Sequence, residues 1–156
     1  MGFNPTSIIN ILTVGASTAT FGTIGAVGEC LSRKMQPSKL KKISLLANHM
    51  LQGLGTSMIG LAIASNYINP AAGAYGLGIS LALFVGGPPA CYIGHCLTKN
   101  RNIKKVLVHV FNGINVITKI TNVVMTTLAA SLILSPLATA GIGISLTVLN
   151  IAALRH

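Results

Sequence analysis

Positive charge in this 156-residue chain is confined to two short segments, and long apolar stretches flank both of them. Nine of the eleven Lys and Arg residues lie there: Arg33, Lys34, Lys39, Lys41 and Lys42 in the first segment, and Lys99, Arg101, Lys104 and Lys105 in the second. Helical membrane proteins concentrate Lys and Arg in the loops on one side of the bilayer. The pattern therefore predicts a multi-spanning membrane protein with both basic segments on the same side.

The composition indicates that lipid rather than water solvates the chain. Only 8% of its residues are charged and 51% are hydrophobic, whereas a soluble domain carries about 25% charged residues. The net charge is +10, with Glu29 as the sole acidic residue. Basic loops without interleaved aromatic residues are typical of contact with anionic lipids such as cardiolipin, and not of nucleic-acid binding. The nine basic side chains named above are therefore predicted to bind lipid head groups.

The apolar stretches predict a single all-α membrane domain over residues 1–156, with four transmembrane helices and a fifth. Pro37-Ser38 is a helix-start signal, and Ser135-Pro136 is another that separates the last two stretches. The fifth stretch has only about 18 residues, so it can cross the bilayer or lie along it. With five crossings, Arg155-His156 would join the basic side. The predicted spans are 7–31, 43–67, 74–97, 106–134 and 137–154.

Small and polar residues within these spans predict where helices meet. Small residues three or four positions apart let a second helix approach closely, whether it belongs to the same chain or to another subunit. The third span contains Gly86-Gly87-Pro88-Pro89, which is expected to bend or interrupt it. Lys119 and three asparagines make the first half of the fourth span polar, so that half is predicted to lie near the interface or against a partner. The predicted packing residues are Gly15, Gly22, Gly25, Gly28, Gly53, Gly60, Asn112, Asn115 and Asn122.

The sequence offers little for catalysis. The chain contains no Asp, so a Ser-His-Asp set cannot form. Gly76-x-Gly78 and Gly141-x-Gly143 do not follow strands, so they are not predicted as nucleotide-binding loops. Glu29 precedes Arg33 by four residues, which predicts a helical ion pair. The alternatives for this carboxylate are a salt bridge to a partner and a proton relay.

No cofactor and no metal are predicted. Cys and His side chains can ligate zinc, and the candidates here would be Cys91, Cys96 and His49. However, the spacing of the two cysteines is loose, and three cysteines do not suggest a disulfide framework.

Several short elements of the first three spans form a pattern of small, apolar and polar residues: 21–28 (FGTIGAVG), 47–51 (ANHML), Gly78, Leu83-Phe84, Cys91-Tyr92 and Leu97-Thr98. In these elements the chain resembles the transmembrane protein 256 family and its bacterial YgdD-like relatives, over about residues 13–120. The chain departs from the family pattern at Val27, where the family has His, and near Gln52, where it has a second His. The resemblance implies a four-helix inner-membrane protein, mitochondrial in eukaryotes, with no assigned enzymatic activity.

These features predict a non-catalytic accessory subunit of a larger inner-membrane complex. A mitochondrial respiratory complex or ATP synthase is the expected host, with other membrane subunits and anionic lipids as partners and the basic segments facing the matrix. In a bacterium, those segments would face the cytoplasm. The main alternative is a homo-oligomeric channel or transporter in which Lys119 faces the axis and favours anions. A third is a lipid-organising or membrane-targeted effector protein.

Overall fold

Helices form nearly all of the computed structural model, which describes the backbone of residues 5–154 and the side chains of residues 8–154. The predicted all-α fold is confirmed, since this range contains helices and no strand. The prediction for Arg155-His156 lies outside the described residues. In chain order the elements are α1 (Pro5–Ser17), a π-helical turn (Thr18–Gly22), α2 (Thr23–Arg33), α3 (Lys39–Tyr67), α4 (Ala72–Leu81), a second π-helical turn (Ala82–Gly86), α5 (Gly87–Leu97), α6 (Arg101–Ser131) and α7 (Pro136–Leu154).

Four helices are long and apolar enough to cross a membrane, so the chain is an integral membrane protein. Two of them are composite, because α1 and α2 continue through the first π turn, and α4 and α5 continue through the second. The four are Ile8–Arg33, Ala72–Leu97, Arg101–Ser131 and Pro136–Leu154. The predicted span over 43–67 corresponds to α3, which has 29 residues but is not among the four.

The helix α3 is less apolar because it lies at the centre of the bundle. It packs against α1, α2, α4, α5 and α6 and against both π turns. Its buried residues include His49, Gln52, Thr56 and Ser57. A helix that is surrounded by protein can carry polar side chains, provided that they find hydrogen-bond partners there.

Successive membrane-length helices run antiparallel, which brings both basic segments to one end of the bundle. Gly53 of α3 packs against Phe84, and Gly60 packs further along against Gly76. On another side, Gly15 of α1 meets Ala129 of α6. The start of α3 therefore lies beside the end of α5 and the start of α6. We call this the basic end.

The last helix runs alongside the bundle and not across its end. Gly143 of α7 lies against Thr127 of α6, and the groove between these helices extends to Val116 and Leu154. This is an antiparallel pairing of α7 with α6 over most of the length of α7. The contact between Cys30 and Leu149 joins α7 to α2 as well.

Polar side chains at the basic end cap the helix ends there. Ser38 caps α3 by accepting a hydrogen bond from the Lys41 amide at 3.1 Å, as the Pro37-Ser38 signal predicts. The Lys41 ammonium donates to the carbonyls of Arg33 and Met35 at 2.7 and 3.0 Å. A lysine at this position satisfies carbonyls that the end of α2 leaves without intrahelical partners. Asn100 caps α6 in the same way as Ser38 caps α3.

The Gly-Pro-Pro element does not break its helix. Pro88 and Pro89 lack amide hydrogens, so neither can donate to the Phe84 carbonyl at the α-helical or the π-helical spacing. The chain forms a π turn over Ala82–Gly86 and then continues as α5. Gly53 of α3 packs directly onto the Phe84 carbonyl and shields its oxygen from lipid.

Candidate functional site

The most unusual feature of the bundle is a group of four ionisable side chains and one amide that lies among α2, α3 and α6. We call it the Glu29 cluster, and it consists of Glu29, Arg33, His49, Gln52 and Lys119. Glu29 and Gln52 have no exposed surface, and Lys119 is only 2% exposed. Charged groups within membrane helices are costly, so such residues usually mark a structural or functional centre.

Glu29 is the centre of the cluster and accepts hydrogen bonds from three helices. Arg33 on the next turn of α2 donates to Oε1 from Nη2 at 2.6 Å and from Nε at 3.2 Å. Gln52 of α3 donates to Oε2 at 3.0 Å. Lys119 of α6 donates to the same oxygen and forms an ion pair with it. The chain's sole carboxylate is therefore fully engaged within its own chain.

Lys119 reaches this position because side chains on a helix lean towards its N-terminus. The N-terminus of α6 is at the basic end, so the lysine side chain points from mid-helix towards Glu29. Its ammonium also donates to Gln52 Oε1 at 3.1 Å. Gln52 thus binds the carboxylate with its amide nitrogen and the ammonium with its amide oxygen.

His49 stands beside the cluster with an unused nitrogen. Its Nδ1 lies 3.6 Å from Glu29 Oε2 and has no hydrogen-bond partner. Its ring packs edge-on against Phe111 of α6, with 5.0 Å between ring centroids. With a neutral His49, the cluster holds one negative and two positive charges, so it carries a net charge of +1.

Polar contacts continue from the cluster through the middle of the bundle. Thr56 of α3 donates to Asn122 of α6 at 3.1 Å. Thr18, in the first π turn, bonds Thr126 of α6 at 2.9 Å. On the other side of the cluster, Asn48 donates to Ser32 at 3.0 Å. These bonds tie the first π turn and α2 to α3 and α6 in a region where lipid offers no alternative partners.

The structure corrects the prediction for the polar half of the fourth span. Lys119 and Asn122 face neither the interface nor a partner, because both are buried against α2 and α3 of their own chain. The physical reason is that the Lys119 ammonium must be neutralised, and Glu29 supplies the opposite charge. Asn115 is half-buried, and Asn112 alone among these four residues is exposed.

The contact of Glu29 with Arg33 agrees with the prediction from their spacing, whereas Lys119 and Gln52 were not predicted as partners of Glu29. The signal for Lys119 was present, since it is the only Lys or Arg inside a predicted span, and Glu29 is the only acidic residue. Charged side chains within a membrane are costly unless they pair with the opposite charge. No comparable signal marked Gln52, because its partners are 23 and 67 positions away.

The predicted packing glycines all face helices of the same chain. A Cβ on Gly22 would meet the Asn122 side chain, and one on Gly25 would meet Gln52. Close helix approach at these two glycines therefore makes room for polar side chains next to the Glu29 cluster. The remaining contacts are Gly15 with Ala129, Gly28 with Asn48, Gly53 with Phe84, and Gly60 with Gly76 and Ser80.

The candidate metal ligands are not brought together. Cys91 is buried in α5, Cys96 is exposed near the end of the same helix, and His49 belongs to the Glu29 cluster. Within the described range, no group of three or more His, Cys, Asp or Glu side chains is arranged to hold a metal ion.

The predicted lipid-binding side chains divide into two kinds. In the first basic segment, Arg33 binds Glu29 and Lys41 binds the carbonyls at the end of α2, whereas Lys34, Lys39 and Lys42 are exposed. In the second segment, Lys99, Arg101 and Lys105 are exposed and Lys104 is half-buried.

Comparison of the chain with protein-family models, curated proteins and solved structures finds no match. The resemblance to the transmembrane protein 256 family therefore stays a prediction. By its fold and its buried residues, the chain is an integral, helical membrane protein with a buried charge cluster.

Proposed function

We propose that this protein is a non-catalytic accessory subunit of a larger inner-membrane complex and acts through helix packing. The state of its only carboxylate supports this role. In many proton pumps and transporters, the relay includes an acidic side chain that gains and loses its partners. Glu29 instead accepts four hydrogen bonds from Arg33, Gln52 and Lys119 at a site without solvent exposure.

The observation that carries the proposal is the exposure of Asn112 on α6. This helix is one of the four that are long and apolar enough to cross a membrane. An amide side chain that faces hydrocarbon loses its hydrogen bonds, at a cost of about 2–7 kcal/mol. The adjacent Gly113 has open space where a Cβ would lie, which leaves room for close approach of a second helix. A neighbouring polypeptide would satisfy Asn112.

The proposed host is a respiratory complex or ATP synthase in the mitochondrial inner membrane, with the basic end facing the matrix. A bacterial inner membrane with a cytoplasmic basic end is the equivalent arrangement. Both orientations of the basic end follow from the rule that positively charged loops stay on the side from which the protein is inserted. Anionic lipids such as cardiolipin would contact the basic end.

Photo-cross-linking tests whether protein covers Asn112. A benzoylphenylalanine at position 112 should yield a discrete protein adduct in native membranes, and native gels in mild detergent should show the chain in an assembly far larger than 16.1 kDa. The matched control is position 79, because Ile79 is 70% exposed on α4 and apolar. It should give lipid adducts.

Two outcomes would contradict the proposal. Lipid adducts alone at position 112, with a native mass of a single chain, would indicate a free-standing protein. An adduct of twice the chain's mass would favour the homo-oligomeric channel or transporter, with Asn112 and Asn115 towards its axis in place of Lys119.

A further inference from the structure

A groove between α5 and α6 changes character along its length. Its inner part is apolar and is lined by Cys91, Tyr92, Leu107 and Phe111. Its outer part, at the basic end, is lined by Arg101, Lys104, Lys105 and His109. His95 and Val108 line both parts, so the two form one continuous surface. We call it the α5–α6 groove.

The cations of this groove are available for a ligand. Across residues 8–154, no carboxylate pairs with the side chains of Arg101, Lys104 or Lys105. The first basic segment differs, because Arg33 and Lys41 are engaged within the protein. The depression beside that segment is lined mainly by the segment itself and by Leu45, without a comparable apolar extension.

We propose that the α5–α6 groove binds one anionic diacyl phospholipid. The phosphate lies on Arg101, Lys104 and Lys105, and an acyl chain lies along Leu107 and Phe111. Charge complementarity selects the head group, since the groove offers cations with no carboxylate nearby. The spacing fits an amphipathic ligand, because Lys104 and Phe111 are separated along the axis of α6 by about 10 Å at 1.5 Å per residue.

This inference rests on the anionic-lipid binding of the proposed function and narrows it from two basic segments to one groove. A lipid meets both halves of the groove at once and is present wherever the protein is inserted. A soluble phosphate would use only the outer half, and a neutral lipid only the inner half.

Native mass spectrometry of the purified full-length protein tests the inference. The protein is supplied in detergent with phosphatidylglycerol or with phosphatidylcholine of the same acyl chains. Wild type should retain one phosphatidylglycerol and at least about tenfold less phosphatidylcholine. The double variant K104Q/K105Q should lower phosphatidylglycerol retention about thirtyfold, since each basic residue near a lipid surface contributes about 1 kcal/mol and about 1.4 kcal/mol is a factor of ten.

Two matched controls separate a built groove from general attraction. K39Q/K42Q removes the same charge from the first basic segment and should change retention less than twofold. Val108→Trp fills the point where the two parts meet and should abolish the one-lipid species, whereas Val106→Trp, at a residue that is 60% exposed and outside the groove, should not.

Three results would overturn the inference: equal retention of both lipids, equal losses in the two double variants, or unchanged retention in Val108→Trp. All six altered side chains are exposed or half-buried, and elution as a folded species is checked first. The cross-link at position 112 is measured in the same variants. Asn112 does not line the groove, so failure of lipid binding leaves that test of the proposed function intact.

Discussion

Glu29 holds two cations and an amide from three helices, and its environment makes it the most sensitive residue in the chain. When one partner of a buried ion pair is removed, the other remains charged without compensation, which costs about 3–5 kcal/mol. Replacement of both partners by neutral residues of similar size avoids that cost. The cluster therefore makes an asymmetric prediction about single and double substitutions.

Glu29→Gln should destabilise the protein by about 3–5 kcal/mol, because Lys119 and Arg33 then repel each other without a carboxylate between them. Lys119→Met should cost less, since Glu29 keeps its bonds to Arg33 and Gln52. The double variant should recover most of the loss. Unfolding of the purified protein in mild detergent measures all three. A double variant as unstable as Glu29→Gln would show that the ion pair is not what holds these helices.

Whether a contact between residues could be predicted depended on how far apart the two residues lie in the sequence. The Glu29–Arg33 pair is local, at the i,i+4 spacing of a helix, so the sequence alone specifies it. The contact with Lys119 joins residues 90 positions apart and depends on which face of α6 meets α2. Periodicity within one helix does not contain that information.

At the element scale, α3 is held by close approach of its backbone to both composite helices. Gly55 packs against Ser17 and Thr18 at the first π turn, and Gly53 packs against Phe84 at the second. Each π turn leaves the regular hydrogen-bond pattern. Glycine is the residue that lets a neighbouring backbone come this close.

Gly53→Ala should destabilise the bundle, although alanine favours a helix over glycine by about 1 kcal/mol. The added methyl group would overlap the carbonyl of Phe84, which is backbone and cannot rotate away. Overpacking of this kind costs about 1–3 kcal/mol. Gly78→Ala on α4 is the matched control, because nothing lies within 4 Å of its Cβ. Thermal stability by size-exclusion chromatography should fall for the first variant and hold or rise for the second; the reverse order would refute the contact.

Helix ends and identities could be predicted from the sequence because their causes are local. The Ser38 cap and the Ser135-Pro136 start correspond to the observed starts of α3 and α7. The Gly-Pro-Pro element was more ambiguous. A helix that lacks amide donors can either break or shift to π spacing. Here it shifts to π spacing, and Gly53 packs against Phe84 at that turn.

Across the whole molecule, the arrangement of the helices follows from the position of the charged residues and from the absence of water within the bilayer. Apolar helices on the outside are solvated by lipid, and α3 carries polar side chains on the faces that pack against its neighbouring helices. Antiparallel packing then places both basic segments at one end. The sequence alone gives this topology through its basic segments, whereas the order of helices around α3 depends on contacts between distant residues.

We predict that lipid surrounds this bundle and that its two basic segments lie on one side of the membrane. Labelling of single cysteines with a membrane-impermeant thiol reagent tests it, in a background with Cys30, Cys91 and Cys96 replaced by Ser. Cysteines at Ser38 and Asn100 should be labelled from the same side of sealed vesicles, and one at Asn69 from the opposite side. Labelling of positions 38 and 100 from opposite sides would contradict the account.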